Sequence, residues 1–244
     1  MQQKKFRENC MVCGAELEHS AEPVEGVCVY CGAREQSYFH CPDGHYVCNS
    51  CHANEALVKI TDYCLKAKST NPLEMLEELM AEESVAMHGP EHHAMVPGVL
   101  VSAYRNATGE AGDKAVLEAI RRGSKVPGGY CGIYGACGAG VGTGVAVAVI
   151  TGSTPLRAEA RALSNLMSAK ALTAIAEQGG VRCCKACSRL AVQTAVEFFH
   201  QHLNCDLEGG TNPRCSFVKR NSQCNKLDCR YFPKSNSDIS SCNV

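Results

Sequence analysis

The sequence predicts a mainly α-helical protein that begins with a small zinc module and ends in an irregular, cysteine-rich tail. Three observations favour this fold class: CxxC pairs near the N-terminus, apolar residues at helical spacing in the middle, and little apolar patterning near the C-terminus. We expect a zinc-ribbon or cross-braced module at 1–55, a connector at 56–71, a helical domain at 72–203 and a tail at 204–244.

Composition narrows the class of protein. The 244 residues carry a formal net charge of −1, so bulk charge indicates neither a nucleic-acid-binding surface nor an anionic-membrane surface. The longest apolar run, Val145 to Ile150, is too short to span a bilayer. The first seven residues lack the apolar stretch of a secretion signal, which argues against a secreted disulfide scaffold. We therefore expect a soluble, cytoplasmic protein, and its 18 cysteines favour the reducing interior of an anaerobe.

The N-terminal cysteines predict two zinc sites. Two CxxC knuckles are separated by 14 residues, and a glycine follows the second cysteine of each. Four thiolates, or three thiolates and an imidazole, suit tetrahedral zinc in a structural role. The eight expected ligands are Cys10, Cys13, Cys28, Cys31, Cys41, His45, Cys48 and Cys51, and His52 is a substitute ligand. A ribbon would bind the first four and the last four separately. A cross-braced module would instead pair the first knuckle with Cys41 and His45, and the second with Cys48 and Cys51.

Capping and periodicity predict the helices of the central domain. Asn71 is a suitable N-cap, Pro72 occupies the first helical position, and Glu74 completes a capping box. We expect this helix to end before His88-Gly89-Pro90. Further helices are expected at Ala94–Ala107, Asp113–Arg122 with Gly123 as its C′ residue, Val141–Ile150, from Thr154-Pro155 to Gly179-Gly180, and Lys185–Leu203.

A histidine-rich turn is the first candidate for catalysis. The segment His88-Gly-Pro-Glu91-His92-His93 places three imidazoles and one carboxylate between two apolar helices. Such groups bind metals or transfer protons near neutral pH, although a solvated polar turn is the plain alternative. No HExxH pattern is present, so the segment does not predict a zinc protease.

A glycine-rich loop at 128–144 carries Cys131 and Cys137. We expect Cys137 to lie at a helix N-terminus, where the helix dipole favours a thiolate. The glycine spacing does not match GxGxxG and no Walker lysine follows, so nucleotide binding is disfavoured and close helix packing explains the later glycines.

The segment Arg182-Cys183-Cys184-Lys185-Ala-Cys187 places further thiols at a helix N-terminus. The helix dipole, Arg182 and Lys185 should all stabilise thiolates there. Together with Cys131 and Cys137, these thiols predict an iron–sulfur cluster of the 4Fe-4S type. If only three cysteines bind it, one iron stays open to substrate or sulfide. Inert buried cysteines and a thiol redox relay are the alternatives.

The tail contributes Cys215, Cys224 and Cys229, which we expect to complete this cluster or to bind another. Cys205 and Cys242 flank them, Cys64 has no partner in sequence, and Cys242 is expected to be a spare terminal thiol.

In combination, these segments resemble an uncharacterised cysteine-rich conserved-domain family of anaerobic bacteria and archaea. The resemblance covers most of the chain and lies in CPDGHYVC at 41–48, HGPEHH at 88–93, YCGIYGACGAGVGTG at 130–144, LSNLM at 163–167, RCCK at 182–185 and the cysteine tail. Related domains appear fused to methyltransferase-like domains in some proteins, and we expect no methyltransferase domain within these residues. The resemblance implies that the histidine segment, the glycine–cysteine loop and the Arg-Cys-Cys motif form one site.

The expected function is that of an iron–sulfur-dependent enzyme acting on a small or sulfur-bearing substrate, by sulfur transfer, desulfuration or lyase chemistry at an open iron. His88, Glu91, His92, His93 and Cys184 are the expected catalytic groups. Cys131, Cys137, Cys183 and Cys187 would bind the cluster with the three tail cysteines. The alternatives are a metal or sulfur carrier that docks a partner protein through its zinc module, and a thiol redox sensor.

Overall fold

The computed structural model describes residues 9–209 and 212–234, and it is mainly helical as predicted. Among the helices that it describes, none combines the length and apolar character required to span a lipid bilayer. The elements are β1 Glu18–Val27, β2 Arg34–His40, α1 Asn49–Lys66, α2 Pro72–Ala81, α3 Glu91–Thr108, α4 Asp113–Gly123, α5 Tyr130–Ile133, α6 Gly138–Ile150, α7 Ala158–Gln178 and α8 Cys184–Leu203.

The N-terminal module is an antiparallel hairpin of β1 and β2 that leads into α1. Most of the hairpin is exposed, so it buries little apolar surface of its own. Helix α1 extends to Lys66 and occupies much of the segment expected to be a connector. The cause is a buried stripe of Ala56, Ile60 and Cys64 on this helix, which joins the main core.

Helix α2 begins where its cap predicts. The Asn71 side-chain oxygen accepts hydrogen bonds from the backbone N–H groups of Leu73 and Glu74, both at 3.1 Å. Pro72 occupies the first turn, where its missing N–H costs nothing. The cap therefore sets the start of a helix whose buried face meets α3 and α8.

Helix α3 is the centre of the domain. It is buried from Glu91 to Tyr104 and contacts α1, α2, α4, α6 and α8. It starts at Glu91, three residues earlier than expected, so His92 and His93 lie in its first turn. Gly123 ends α4 as a helical residue, and the C′ prediction is wrong. A Cβ at Gly123 would lie 2.3 Å from the His93 carbonyl oxygen, so close packing requires glycine there.

The glycines of α6 allow close approach of its neighbours. A Cβ at Gly140 would lie 2.8 Å from Leu172 of α7, and one at Gly142 would lie 2.9 Å from Pro97 of α3. At Gly144 the added atom would lie 2.8 Å from the Ser164 carbonyl oxygen. These contacts agree with the packing explanation of the later glycines and hold α6 between α3 and α7.

The tail packs back onto the helices. The Cys215 N–H donates to the Tyr231 carbonyl at 2.8 Å, and the Tyr231 hydroxyl donates to Gln193 of α8 at 2.6 Å. Phe217 and Tyr231 are each only 1% exposed. The tail thus has more core than its composition predicted, because two aromatic side chains reach the surface of α8. Cys242 lies outside the described residues.

Candidate functional site

The first part of the site is a pair of metal-ligand clusters in the N-terminal module. Each cluster contains four side chains whose ligand atoms all lie within 4.8 Å of one another. One cluster is Cys10, Cys13, Cys41 and His45, and the other is Cys28, Cys31, Cys48 and Cys51. The two knuckles therefore alternate with the later ligand pairs, which is the cross-braced arrangement.

The spacing of the sulfur atoms fits tetrahedral zinc. The Sγ atoms of Cys13 and Cys41 are 3.5 Å apart, and those of Cys31 and Cys48 are 3.6 Å apart. A zinc–sulfur bond of about 2.3 Å places tetrahedral ligands roughly 3.8 Å from one another. The two clusters can thus hold metal ions such as zinc, with all four positions of each filled by protein.

Both knuckles have the same turn. The N–H of Gly14 donates to the Cys10 carbonyl, and the N–H of Gly32 donates to the Cys28 carbonyl, each at 2.8 Å. The φ angles of these glycines, 80° and 72°, lie in the left-handed region. This explains why a glycine follows each CxxC pair.

The second cluster connects the module to the helical domain. Cys48 caps α1, and its Sγ accepts the Cys51 N–H at 3.4 Å. His52, which follows, is not part of either cluster; its Nδ1 lies 3.9 Å from a carboxylate oxygen of Glu91. The substitute-ligand alternative for His52 is therefore not realised, and this imidazole faces the histidine-rich segment.

Two further contacts hold the module over the glycine–cysteine loop and the Arg-Cys-Cys motif. The Arg182 guanidinium lies 5.0 Å from the centre of the Phe39 ring of β2. The Asn49 side-chain oxygen accepts the Gly128 N–H at 3.0 Å. The zinc module thus covers the edge of the helical domain where the other candidate residues lie.

Three helix N-termini converge beneath this edge. Glu91 opens α3, Cys137 is the N-cap of α6, and Cys183 is the N-cap of α8. The three helices contact one another in pairs. Their N-terminal dipoles are partial positive charges, so this junction favours anions and thiolates. The histidine segment, the loop and the Arg-Cys-Cys motif therefore meet here.

His92 has the arrangement of a base or a ligand. Its Nδ1 lies 3.1 Å from the Gly89 carbonyl oxygen, which can only accept, so Nδ1 carries the proton. Its Nε2 then carries a free lone pair that can bind a metal or accept a proton. This atom is buried and has no hydrogen-bond partner among the described residues. Burial lowers the pKa of His92 well below its usual value, so the ring is neutral.

The other two histidines differ in role. The His93 side chain packs against the first residue of α6 and the segment after α4. Its Nδ1 donates to the Val126 carbonyl at 2.9 Å, and a Cβ at Gly138 would lie 2.3 Å from its ring. It positions α6 against α3. The Nε2 of His88 lies 3.3 Å from the Asn221 side-chain oxygen in the tail. Burial, and next the charge of Arg182, lower the pKa of His88 to about 4.

Glu91 is a buried carboxylate, with 1% of the residue exposed. One of its oxygens accepts the Ala86 N–H at 3.0 Å and lies 3.5 Å from His92 Nδ1. Lys185 of α8 is fully buried, and its Nζ donates to the Met80 carbonyl at 3.1 Å. Burial lowers the pKa of Lys185 to about 7, although the charge of Glu91 opposes this. The sequence did not reveal Lys185 as a buried amine.

The expectation that all Arg-Cys-Cys thiols are stabilised as thiolates is wrong. Burial raises the pKa of Cys184 to about 12, even though its sulfur interacts with the Gly89 backbone. Burial likewise raises the pKa of Cys183 to about 11. Desolvation of the charged form outweighs the helix dipole at both positions, so these thiols are protonated unless a metal binds them.

Cys137 has a lowered pKa, as the sequence predicted. Its hydrogen bond with Cys187 contributes most, the backbone amides of Ala139 and Gly140 add to it, and together they outweigh burial to give a pKa of about 7. The same hydrogen bond raises the pKa of Cys187. The two thiols thus form a pair between α6 and α8.

Four other cysteines line one largely enclosed cavity, which we call the cysteine cavity: Cys183, Cys215, Cys224 and Cys229. Its wall also includes Phe217, Arg189 and Asn221. The Arg189 guanidinium is buried and forms a two-pronged ion pair with Glu77 at 2.5 and 2.6 Å. The tail cysteines therefore complete a group that the Arg-Cys-Cys motif begins.

The structure divides the seven predicted cluster ligands. Cys131 lies exposed on α5 and does not line the cavity. Cys137 and Cys187 form their own pair, and the remaining four surround the cavity. Cys64 and Cys205 are buried in the main core. Arg189, Glu77 and the ring of Phe217 were not found from the sequence, because no local pattern marks which side chains meet across the fold.

The comparisons with known proteins identify a family. The model of a family of unknown function, DUF5714, matches residues 60–232, and the chain belongs to this family. The match covers the helical domain and the cysteine cavity but not the two zinc-type clusters. No curated protein and no solved structure matches the chain.

Proposed function

We propose that this member of DUF5714 is an iron–sulfur enzyme that binds its cluster in the cysteine cavity and acts on a sulfur-bearing substrate at the adjoining histidine segment. The observation that carries the proposal is the enclosure of four cysteines, from the Arg-Cys-Cys motif and the tail, around one cavity. Four thiolates are the usual ligand set of a 4Fe-4S cluster.

The spacing of these sulfurs supports a cluster over a single ion. In each zinc-type group, all four ligand atoms lie within 4.8 Å of one another. Among the described residues, the four cysteines of the cysteine cavity do not form such a closely spaced group. A single tetrahedral ion needs that short spacing, whereas a cluster places iron and sulfide between its cysteines.

The surroundings also suit an anionic cluster. The Lys226 N–H donates to Cys224 Sγ at 3.4 Å, and the Asn221 side chain donates to Cys183 Sγ at 3.8 Å. Arg189 adds a buried positive charge at the wall. Hydrogen bonds to sulfur and local charge are the means by which a protein sets the potential of a cluster.

The position of the histidine segment favours an enzyme over a storage protein. Asn221 touches both His88 and Cys183, so it links the histidine segment to the cavity. The Nε2 of His92 is available to take a proton, and Glu91 lies beside the ring. A cluster bound by all four cysteines would supply electrons, and one bound by only three of them would supply a Lewis-acidic iron for sulfur transfer or lyase chemistry.

The proposal is tested by anaerobic purification followed by analysis of zinc, iron and acid-labile sulfide. We expect two zinc ions per chain together with iron and sulfide. Cys215→Ser and Cys229→Ser should each lose most of the iron and keep the zinc. Cys131→Ser is the matched control, because its thiol is exposed and lies outside the cavity. Zinc without sulfide, or iron loss in the control alone, would overturn the cluster assignment.

A carrier that docks a partner through the zinc module is the second candidate. It is favoured by exposed apolar side chains at the knuckles, Val12, Val29 and Tyr30. His92→Gln separates the two candidates. An enzyme should keep its cluster and lose reductive sulfide release from thiosulfate or a small persulfide, whereas a carrier should still transfer its cluster to an apo-ferredoxin. Unchanged sulfide release by His92→Gln would refute the catalytic assignment.

A further inference from the structure

A strongly basic surface covers the cysteine cavity. Residues 212–234, which supply three of the four cysteines of the cavity, contain six basic residues and one acidic residue. The chain as a whole has a formal net charge of −1, so this segment differs clearly from the rest. Lys226 and Arg230 are exposed. The exposed Arg182 is held against this segment, because its Nε donates to the Gln223 side-chain oxygen at 3.3 Å.

Two exposed apolar side chains lie within this basic surface. Leu227 is 85% exposed, and Val181 is 58% exposed. The Asn225 side chain joins their two segments, because its oxygen accepts the Val181 N–H at 3.0 Å and its amide donates to the Val181 carbonyl at 2.9 Å. Gln178 adds a third contact by donating to the Asp228 carbonyl at 2.7 Å. We call this surface the basic face, and it is made of Val181, Arg182, Lys226, Leu227 and Arg230.

The basic face lies over the candidate cluster ligands. Arg182 is the chain neighbour of Cys183, and Leu227 lies between Cys224 and Cys229 in the sequence. The asparagine that joins the two segments of the face also lines the cavity. Electrons that enter or leave a group bound by these cysteines therefore have a short path through this face.

The composition of the face favours an acidic protein over a nucleic acid as its partner. The exposed apolar groups of the face are the aliphatic side chains of Leu227 and Val181, whereas single-stranded nucleic acids stack their bases on aromatic rings. Phe217 and Tyr231 of the tail are each 1% exposed, so neither offers its ring to a base. An apolar centre with a charged rim is typical of a protein interface, and complementary charge speeds the encounter of two proteins.

We propose that the basic face docks a small acidic electron-carrier protein of the ferredoxin class, which delivers electrons to the group held in the cysteine cavity. The inference rests on the proposed function, because it names the partner of that same site. In each transfer the carrier is oxidised by one electron and the bound cluster is reduced by one. No covalent bond forms or breaks, and the reduced carrier is the only reductant consumed.

The test measures the binding of an acidic 2Fe-2S ferredoxin to the full chain, purified anaerobically, by isothermal titration calorimetry at low and high salt. The wild type should bind, and its affinity should fall as salt screens the charges. Lys226→Glu combined with Arg230→Glu should weaken binding at low salt by at least about tenfold and flatten the salt dependence. Lys59→Glu combined with Lys114→Glu is the matched control. It makes the same change of charge at exposed positions on α1 and α4, outside the face, and should change the affinity less than about twofold.

A second variant tests the apolar centre. Leu227→Ser keeps every charge, so it should weaken binding by about fivefold while the salt dependence stays that of the wild type. A variant that binds as tightly as the wild type would show that the exposed leucine takes no part in docking, which contradicts the proposal.

Iron and acid-labile sulfide are measured in the same preparations, which separates the two proposals. Protein that contains the cluster but does not bind the ferredoxin, or binds it equally well in the double charge variant, overturns the docking proposal and leaves the cluster assignment standing. Protein without iron and sulfide overturns the proposed function, whether or not the ferredoxin binds. A single-stranded oligonucleotide that displaces the ferredoxin and binds more tightly would assign the face to nucleic acid and also overturn the docking proposal.

Discussion

The ion pair between Glu77 and Arg189 should be among the largest single contributors to stability in the helical domain. Arg189 on α8 is fully buried, and its guanidinium donates two hydrogen bonds to the carboxylate of Glu77 on α2. In Glu77→Gln the guanidinium keeps its charge but loses its carboxylate. Removing one partner of a buried pair costs about 3–5 kcal/mol, because the remaining charge is left uncompensated.

A neighbouring residue provides the control. Glu78 accepts a hydrogen bond from Tyr63 at 2.7 Å, but this contact is exposed. Glu78→Gln should therefore cost under about 1 kcal/mol. Urea denaturation followed by circular dichroism measures both variants. With a slope of about 3 kcal/mol per molar urea, Glu77→Gln should lower the midpoint by roughly 1 M or more. If the two variants unfold at the same urea concentration, the claim that Arg189 depends on Glu77 is wrong.

Three further predictions concern acid stability, helix packing and the zinc module. The pKa of His88 lies near 4, so between about pH 6.5 and pH 4 this histidine binds a proton in the unfolded chain but not in the folded one, and His88 should contribute about 2 kcal/mol to the stability lost between pH 7 and pH 5. The buried His92 adds to the same loss, so His88→Gln should reduce the loss by about 2 kcal/mol without abolishing it, in denaturation series at the two pH values. Gly144→Ala should destabilise by about 1–3 kcal/mol, because its Cβ would crowd the Ser164 carbonyl, while Gly132→Ala, in open space, should change the melting temperature little. Cys28→Ser should reduce zinc content from two ions to one in metal analysis of the purified protein, and retention of both would contradict the cross-braced grouping.

Local patterns in the sequence predicted the features that depend on neighbours in the chain. The Asn71 cap defined the start of α2, and the CxxC-Gly pairs predicted the knuckle turns. The location of Cys137 at a helix N-terminus also followed from local pattern, because helix ends are marked by residues within one turn. The assignment of Cys131 as a cluster ligand was equally local, but proximity in the loop does not bring it to the cavity.

The sequence by itself determined which chemical groups are present: zinc-type ligands near the N-terminus, imidazoles and a carboxylate around the start of α3, and thiols at two helix starts. Only the tertiary structure decided how they are grouped. The tertiary structure groups the eight N-terminal ligands in the cross-braced arrangement and not the ribbon arrangement. It also places Cys183 with the tail cysteines and leaves the Cys137–Cys187 pair apart from them. The physical reason is that ligand type is a property of a residue, whereas a shared site requires residues far apart in the chain to be held together by packing, and the same packing desolvates thiols such as Cys184 and raises their pKa values.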